Sequence, residues 1–211
     1  MNDEFSFDIK RERPEDIYEK VADYFTAERI EEYSLSKNMQ RIQTKITWRA
    51  LELLNIEEKY ALILDAGCGP GFASFFIKEL GYKVVAFDII SQFFNYYEMK
   101  GINPIVADMC KPPFKPETFN GIVSISALQW IYRDFLNKSM EKNFIELIIS
   151  FYTILKFNCK IVFQFYPKNF TLMDKMKGLI NSKTEFSGGF IIDNPNNPKK
   201  RKVFLILEKV K

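Results

Sequence analysis

A chain of 211 residues, 47% of them hydrophobic, is long enough for one domain with a two- or three-layer core; with no apolar run near the roughly 18 residues that cross a bilayer and a charged N-terminus, MNDEFSFDIKRERPED, unlike a signal peptide, it is expected to be cytoplasmic. It contains no histidine, and Cys68, Cys110 and Cys159 show no CxxC or Cys/His pairing, so imidazole catalysis, a zinc site and a disulfide framework are all excluded as expectations. The formal charge of +3 divides into +7 for residues 160–211 and −4 for residues 1–159, which makes the C-terminal part the candidate for meeting a polyanion, or else a surface solvated by lysine.

In chain order, Pro14 and the stretch EDIYEKVADYFTAERIEEY predict one helix with proline in its first turn. Met39, Ile42, Ile46, Ala50, Leu53 and Leu54 recur at three- and four-residue spacing and predict a second helix over 38–54. From Tyr60 the pattern changes. The apolar runs YALILD, KVVAFD, NPIVAD, GIVSIS and KIVFQF read as buried strands, with helices over 71–80, 92–100 and 140–156 between most of them, the signature of βαβ units and a parallel sheet covered on both faces. A helix over 171–181 and the strand pair GGFIID and KVFLILEK, joined by the turn NPNNP, add an antiparallel hairpin at one edge.

The stretch ILDAGCGPGF, residues 63–72, ends a strand on an acid and follows it with glycines at alternate positions. In a doubly wound sheet the first strand-to-helix turn approaches the ligand with its backbone, and Gly67, Gly69 and Gly71 supply that close approach. A dinucleotide fingerprint would need glycine where Phe72 stands, and Asp65 places negative charge where a pyrophosphate would sit. A cationic nucleoside suits the loop better, and S-adenosylmethionine carries an ammonium and a sulfonium but no phosphate. Asp88 ends KVVAFD and Asp108 ends NPIVAD, so Asp65, Asp88 and Asp108 are expected at three successive strand tips along one sheet edge, with Asp88 accepting from a ribose diol and Asp108 from the adenine amine. Any one such acid alone would read as a helix N-cap.

The segments ITWRALELL, ILDAGCGPG, SISALQWI, QFYPKN and FSGGFIIDNP…KKRKVFLIL together resemble the small-subunit (18S/16S-type) rRNA guanine-N7 methyltransferase family of ribosome biogenesis, within the class I S-adenosylmethionine-dependent methyltransferases. The resemblance runs from about Tyr33 to the end. It implies a Rossmann-like, doubly wound, mostly parallel seven-stranded sheet with a C-terminal antiparallel hairpin and N-terminal helices. One methyltransferase domain over 1–211 follows, with a helical cap at 1–58 and the core at 59–211. The chain stops at EKVK, without the basic tail of eukaryotic members, which suggests an archaeal member.

The cofactor implied is S-adenosylmethionine, held by Asp65, Gly67, Cys68, Gly69, Gly71, Asp88, Ile89, Asp108, Met109 and Ser126. Guanine N7 has an exposed lone pair and no proton to lose, so no acid–base residue is expected and positioning supplies the acceleration. Gln129 and Trp130 stand where such enzymes hold the target, Gln129 to bond a base edge and Trp130 to stack on a base or fill the core; Tyr166, Pro167 and Lys168 follow the fifth strand toward the same mouth, or form an ordinary turn. Tyr33, Gln40, Gln43 and Lys45 match polar positions of the N-terminal segment, or serve packing alone. The partners implied are small-subunit rRNA and a small zinc-binding activator protein that forms a heterodimer at the edge strand Ile102–Ala107, beside the aromatic run FFNYYEM, whose rings pack on that partner or inward. Alternatives are methyl transfer to a tRNA, a protein or a small molecule, or a noncatalytic assembly factor that keeps the fold.

Overall fold

Alternation along each strand decides which helix covers which face. A computed structural model describes residue 7 and residues 12–97 and 101–210. Strands β1 (Leu62–Ala66), β2 (Lys83–Asp88), β3 (Ile105–Val106), β4 (Phe119–Ile125), β5 (Leu155–Phe165), β6 (Phe186–Asp193) and β7 (Lys202–Lys209) form one sheet in the order β3-β2-β1-β4-β5-β7-β6. The first five are parallel, while β7 lies antiparallel between β5 and β6. The hairpin expected from the two C-terminal runs is therefore present at the edge, with the later strand on the inside.

Ile63, Val123, Val162 and Phe204 point to one face, where they meet Ile46, Ala50 and Leu54 of helix α4 (Lys37–Leu54) and Ala73 and Ile77 of α5 (Phe72–Glu79). Leu64, Ile122, Ile161 and Leu205, one residue out of phase, point to the other face. There α7 (Lys138–Ile154) and α8 (Phe170–Lys183) cover them with Phe144, Leu147, Phe151 and Met176. This is the period-2 pattern of a sheet buried on both sides. Phe87, Phe119, Phe144, Phe151, Phe163, Phe165 and Phe204 are each under 2% exposed, and burial of one such ring is worth about 2 kcal/mol. Much of the phenylalanine content is thus core.

Three expectations change. The helix predicted from Pro14 is broken into α1 (Pro14–Ile17), α2 (Val21–Tyr24) and α3 (Ala27–Leu35). Tyr18 and Lys20 are extended, and Thr26 starts a new helix by accepting from the Arg29 amide. The breaks are held by tertiary contacts: the Arg29 guanidinium donates to the Tyr24 carbonyl at 3.0 Å and to the Tyr18 hydroxyl at 3.1 Å, while Phe25 packs edge-on against Phe93 at 5.0 Å. Burial of these aromatics wins over helical continuity.

The helix expected over 92–100 is a short 3₁₀ turn, Ser91–Tyr96, and residues 98–100 lie outside the described residues. Its aromatics turn inward. Phe93 is buried with Ile30 and Ile90, and Tyr97 with Cys68 and Ala86. The strand expected over NPIVAD contracts to Ile105–Val106, because Pro104 has no N–H to give to a ladder; Asp108 then lies two residues beyond the strand.

Candidate active site

β1 has β2 on one side and β4 on the other, so the chain direction of the connections reverses beside it, the place where doubly wound sheets open a crevice at their C-terminal edge. A cavity of about 390 Å³ lies there. It is lined after β1 by Gly67 and Gly69, after β2 by Asp88, Ile89 and Ile90, after β3 by Asp108, Met109 and Cys110, and after β4 by Ser126, Ala127 and Trp130. Phe25 and Tyr33 close it from the N-terminal helices.

The glycine loop is built from the backbone outward. The amides of Gly67 and Cys68 both donate to the Phe87 carbonyl, at 2.9 and 3.0 Å, which ties the turn to β2. Gly67 has φ +75°, and a Cβ there would come within 2.8 Å of the Ala127 Cβ, so both conformation and space require glycine. Gly69 has φ +51° but open space at its Cβ position, as expected where a backbone faces a ligand rather than the core.

Asp88 is buried and its two carboxylate oxygens take different amides, Oδ2 from Gly69 at 2.8 Å and Oδ1 from Ile90 at 2.9 Å. Burial raises its pKa, against those two hydrogen bonds. Each oxygen keeps a lone pair, and the residue lines the cavity. Asp108 accepts from the Cys110 amide at 2.8 Å through Oδ1 and also lines it. Ile89, 52% exposed, and Met109 supply apolar walls of the kind a purine ring packs against.

Asp65 sits differently from its expected place at a strand tip. It is the fourth of the five residues of β1, is 1% exposed, and accepts from the Ser74 hydroxyl at 2.5 Å beneath the loop. Burial pushes its pKa up to about 7. It lines a small cavity of about 40 Å³ with Cys68, and Gly67, Gly69, Tyr33 and Ile125 line both this and the larger one. Cys68 is buried against Tyr97, its thiol pushed up by burial, and Gly71 caps α5 facing Phe75 and Tyr97.

Beside the first cavity lies a second, of about 740 Å³, roofed by the N-terminal helices. Gln129, Trp130 and Tyr166 line it together with Tyr33 and Gln43. Gln129 donates to the Ser126 carbonyl at 2.8 Å, and Gln43 donates to the Tyr33 hydroxyl at 3.2 Å. Trp130 is tilted against Tyr24 at 5.7 Å and is half-buried, so it is a wall of both cavities rather than core. Ser126, at φ +59°, donates to Gln164 Oε1 at 2.9 Å and also lines both.

Pro167 and Lys168 are not brought to this mouth. Lys168 forms an ion pair with Asp16 at 2.7 Å, and Pro167 lines a shallow groove with Lys199, Arg201 and Lys202. Gln40 and Lys45 are exposed on α4 and line neither cavity. Residues that local sequence did not single out complete the roof: Arg13 donates to the carbonyls of Tyr166 at 2.6 Å and Pro167 at 3.2 Å, and Glu15 is buried beside it. An acid in a first helical turn reads from sequence as a complement to the helix dipole, and no local signal marks it as buried.

The donor set fits a cationic nucleoside cofactor: two acids at the rim, Asp88 and Asp108, an apolar wall, and a glycine backbone facing the cavity. Residues 64–155 match the family model described as "Methyltransferase domain". In fold the chain is similar to the N-methyltransferase NodS from Bradyrhizobium japonicum, solved with S-adenosyl-L-homocysteine, at TM-score 0.64 and 11% identity over 87% of this chain and 98% of that one. It is also similar to geranyl diphosphate C-methyltransferase from Streptomyces coelicolor, at TM-score 0.61 and 9% identity over 82% and 81%. In sequence it is 32% identical to the 18S rRNA (guanine-N(7))-methyltransferase bud23 of Schizosaccharomyces pombe, covering 83% of this chain and 67% of that protein. It is 34% identical to the 18S rRNA (guanine(1575)-N(7))-methyltransferase of Saccharomyces cerevisiae, covering 88% and 68%. With identity above 30% over more than four fifths of the chain and about two thirds of each relative, the chain belongs to the 18S rRNA (guanine-N(7))-methyltransferase family.

Proposed function

We propose that this protein transfers a methyl group from S-adenosylmethionine to N7 of a guanine in small-subunit rRNA. The observation that carries the reading is the shared wall: Ser126 and Trp130 line both the cavity edged by Asp88 and Asp108 and the larger one lined by Gln129 and Tyr166, so a cofactor in the first and a base in the second face each other across it. When bound, S-adenosylmethionine supplies an electrophilic methyl on a sulfonium. The protein's part is to hold and orient. Asp88 accepts from the ribose diol, Asp108 from the adenine amine, Ile89 and Met109 sandwich the ring, and the Gly67–Gly69 backbone lies against the amino-acid end. Trp130 stacks on the target base while Gln129 and Tyr166 hold its edge. N7 carries no proton, so no base is needed, in keeping with a chain that has no histidine.

The same reading makes 1–58 a helical cap on a core at 59–211, working as one catalytic unit in the cytoplasm. Among the described residues no helix is long and apolar enough to cross a membrane. It also assigns a partner, a small zinc-binding activator protein that adds to the edge at β3. In support, β3 is the terminal strand of the sheet, and Ile105 and Val106 are 38% and 57% exposed there. The test is methylation of small-subunit rRNA from a strain lacking the enzyme, using the purified chain with its activator, followed by mapping of N7-methylguanosine. One new N7-methylguanosine at a single site is the expected result, and incorporation elsewhere or not at all refutes the proposal.

A further inference from the structure

The second cavity is lined by a buried acid. Glu15, in the first turn of α1, is 6% exposed, yet among the described residues no ion pair or hydrogen bond from another residue engages its side chain. Its acid form is favoured by burial and opposed by its own amide and by the charges of Arg13 and Arg133, whose Nη1 is itself buried without a partner. Beyond the bond from its own amide, the carboxylate keeps lone pairs for further donors, and the residue lines the cavity from which a ligand can supply them.

Resting on the reading above, we infer that Glu15 receives the Watson–Crick edge of the target guanine, its two oxygens accepting from N1–H and the N2 amine. Guanine presents those two donors side by side, a match to a carboxylate; adenine presents an acceptor at N1 and is repelled. The placement also fits the reaction. Glu15 lines the cavity of Trp130 and Tyr166 but not the one edged by Asp88, and N7 is on the opposite side of the purine from N1. A base gripped at Glu15 therefore turns N7 toward the shared wall. In the transfer step the N7 lone pair forms the new bond to the methyl carbon as the carbon–sulfur bond breaks, with its electron pair going to sulfur. The purine becomes cationic, its N1–H and N2 amine become stronger donors, and a carboxylate there holds the transition state more tightly than the ground state.

The test is a ligand-observed NMR titration of the chain saturated with S-adenosylhomocysteine, using GMP, IMP and AMP. IMP lacks only the N2 amine, so GMP should bind on the order of tenfold more tightly than IMP, the loss of one hydrogen bond to a charged group, with AMP weakest. In Glu15→Gln the difference between GMP and IMP should vanish while S-adenosylhomocysteine binds unchanged. Equal binding of GMP and IMP by the parent chain, a comparison that needs no variant, overturns the inference, as does a preference that survives Glu15→Gln. Transfer to guanine N7 of rRNA without a GMP preference would sink this assignment alone. A GMP preference that Glu15→Gln removes, without transfer to rRNA, would uphold the assignment and sink the proposed substrate.

Discussion

The amide of Gly69 donates to Oδ2 of Asp88 at 2.8 Å, so the carboxylate at the end of β2 shapes the glycine loop that follows β1. One side chain thus fixes the loop and presents lone pairs to the cavity. Asp88→Ala should do more than remove a cofactor contact, since it frees the Gly69 and Ile90 amides as well. We expect S-adenosylmethionine affinity to fall by on the order of a hundredfold, with about 1–3 kcal/mol lost from stability. Calorimetry on the folded variant checks this, and parent-like affinity would contradict it.

Asp65 predicts a pH dependence of stability. Its pKa is about 7 in the folded chain against 3.8 for the ordinary group, because burial penalises the charged form. Between about pH 4 and about pH 7 the native protein keeps a proton that the unfolded chain has released, so this group makes stability fall as pH rises through that window, by at most about 1.4 kcal/mol per unit. Asp88, also raised, acts in the same sense. Asp65→Asn should flatten the trend in urea denaturation curves taken at the two ends of the window. An equal slope in the variant would mean that other groups carry it.

With cofactor and RNA saturating, the single-turnover rate should be level from about pH 7 to about pH 9, because the nucleophile has no proton to lose. A rise of tenfold per pH unit, the mark of a titrating base, would show that proton removal is part of the step.

The basic run after the hairpin turn divides in the structure. Lys199 and Lys200 are exposed, whereas Lys202 lies over the Tyr166 ring at 5.6 Å with its pKa lowered by burial. Arg201 donates to the Pro195 carbonyl at 2.9 Å. Replacing Lys199 and Lys200 by alanine should reduce the slope of log affinity for rRNA against log salt by about 1.4 to 1.8, two phosphate contacts' worth, with cofactor affinity unchanged. A filter-binding titration over a range of salt decides it. An unchanged slope together with poorer solubility would assign the two lysines to protecting the sheet edge instead.

Co-expression with the proposed zinc-binding activator should give a heterodimer, and Val106→Pro should prevent its formation by removing a ladder donor from the exposed edge while leaving S-adenosylhomocysteine binding intact. Size-exclusion chromatography with light scattering reads the outcome. A variant that still forms the heterodimer would move the partner to another face.

What the sequence determined by itself was whatever local periodicity and loop chemistry encode. The strand runs through KVVAFD and GIVSIS, the helix from Lys37 to Leu54, the glycine loop and the antiparallel hairpin all follow from side-chain spacing and from the residues that turns require. The acids at 88 and 108 were legible as cavity residues for the same reason, since the ends of parallel strands converge on one edge. Tertiary structure decided the rest. Asp65 is drawn under the loop by Ser74, a partner nine residues away on the first turn of a helix. Lys168 is claimed by Asp16, and the helix expected from Pro14 breaks into three so that Phe25 and Tyr24 can reach Phe93 and Trp130. The first joins a strand to the helix after its loop and the others join segments far apart in the chain, and no local pattern contains them. The burial of Glu15 is the sharpest case: its neighbours in sequence describe an ordinary exposed helix start, and only the packing of the N-terminal roof on the loops after β4 and β5 buries the residue at the cavity wall.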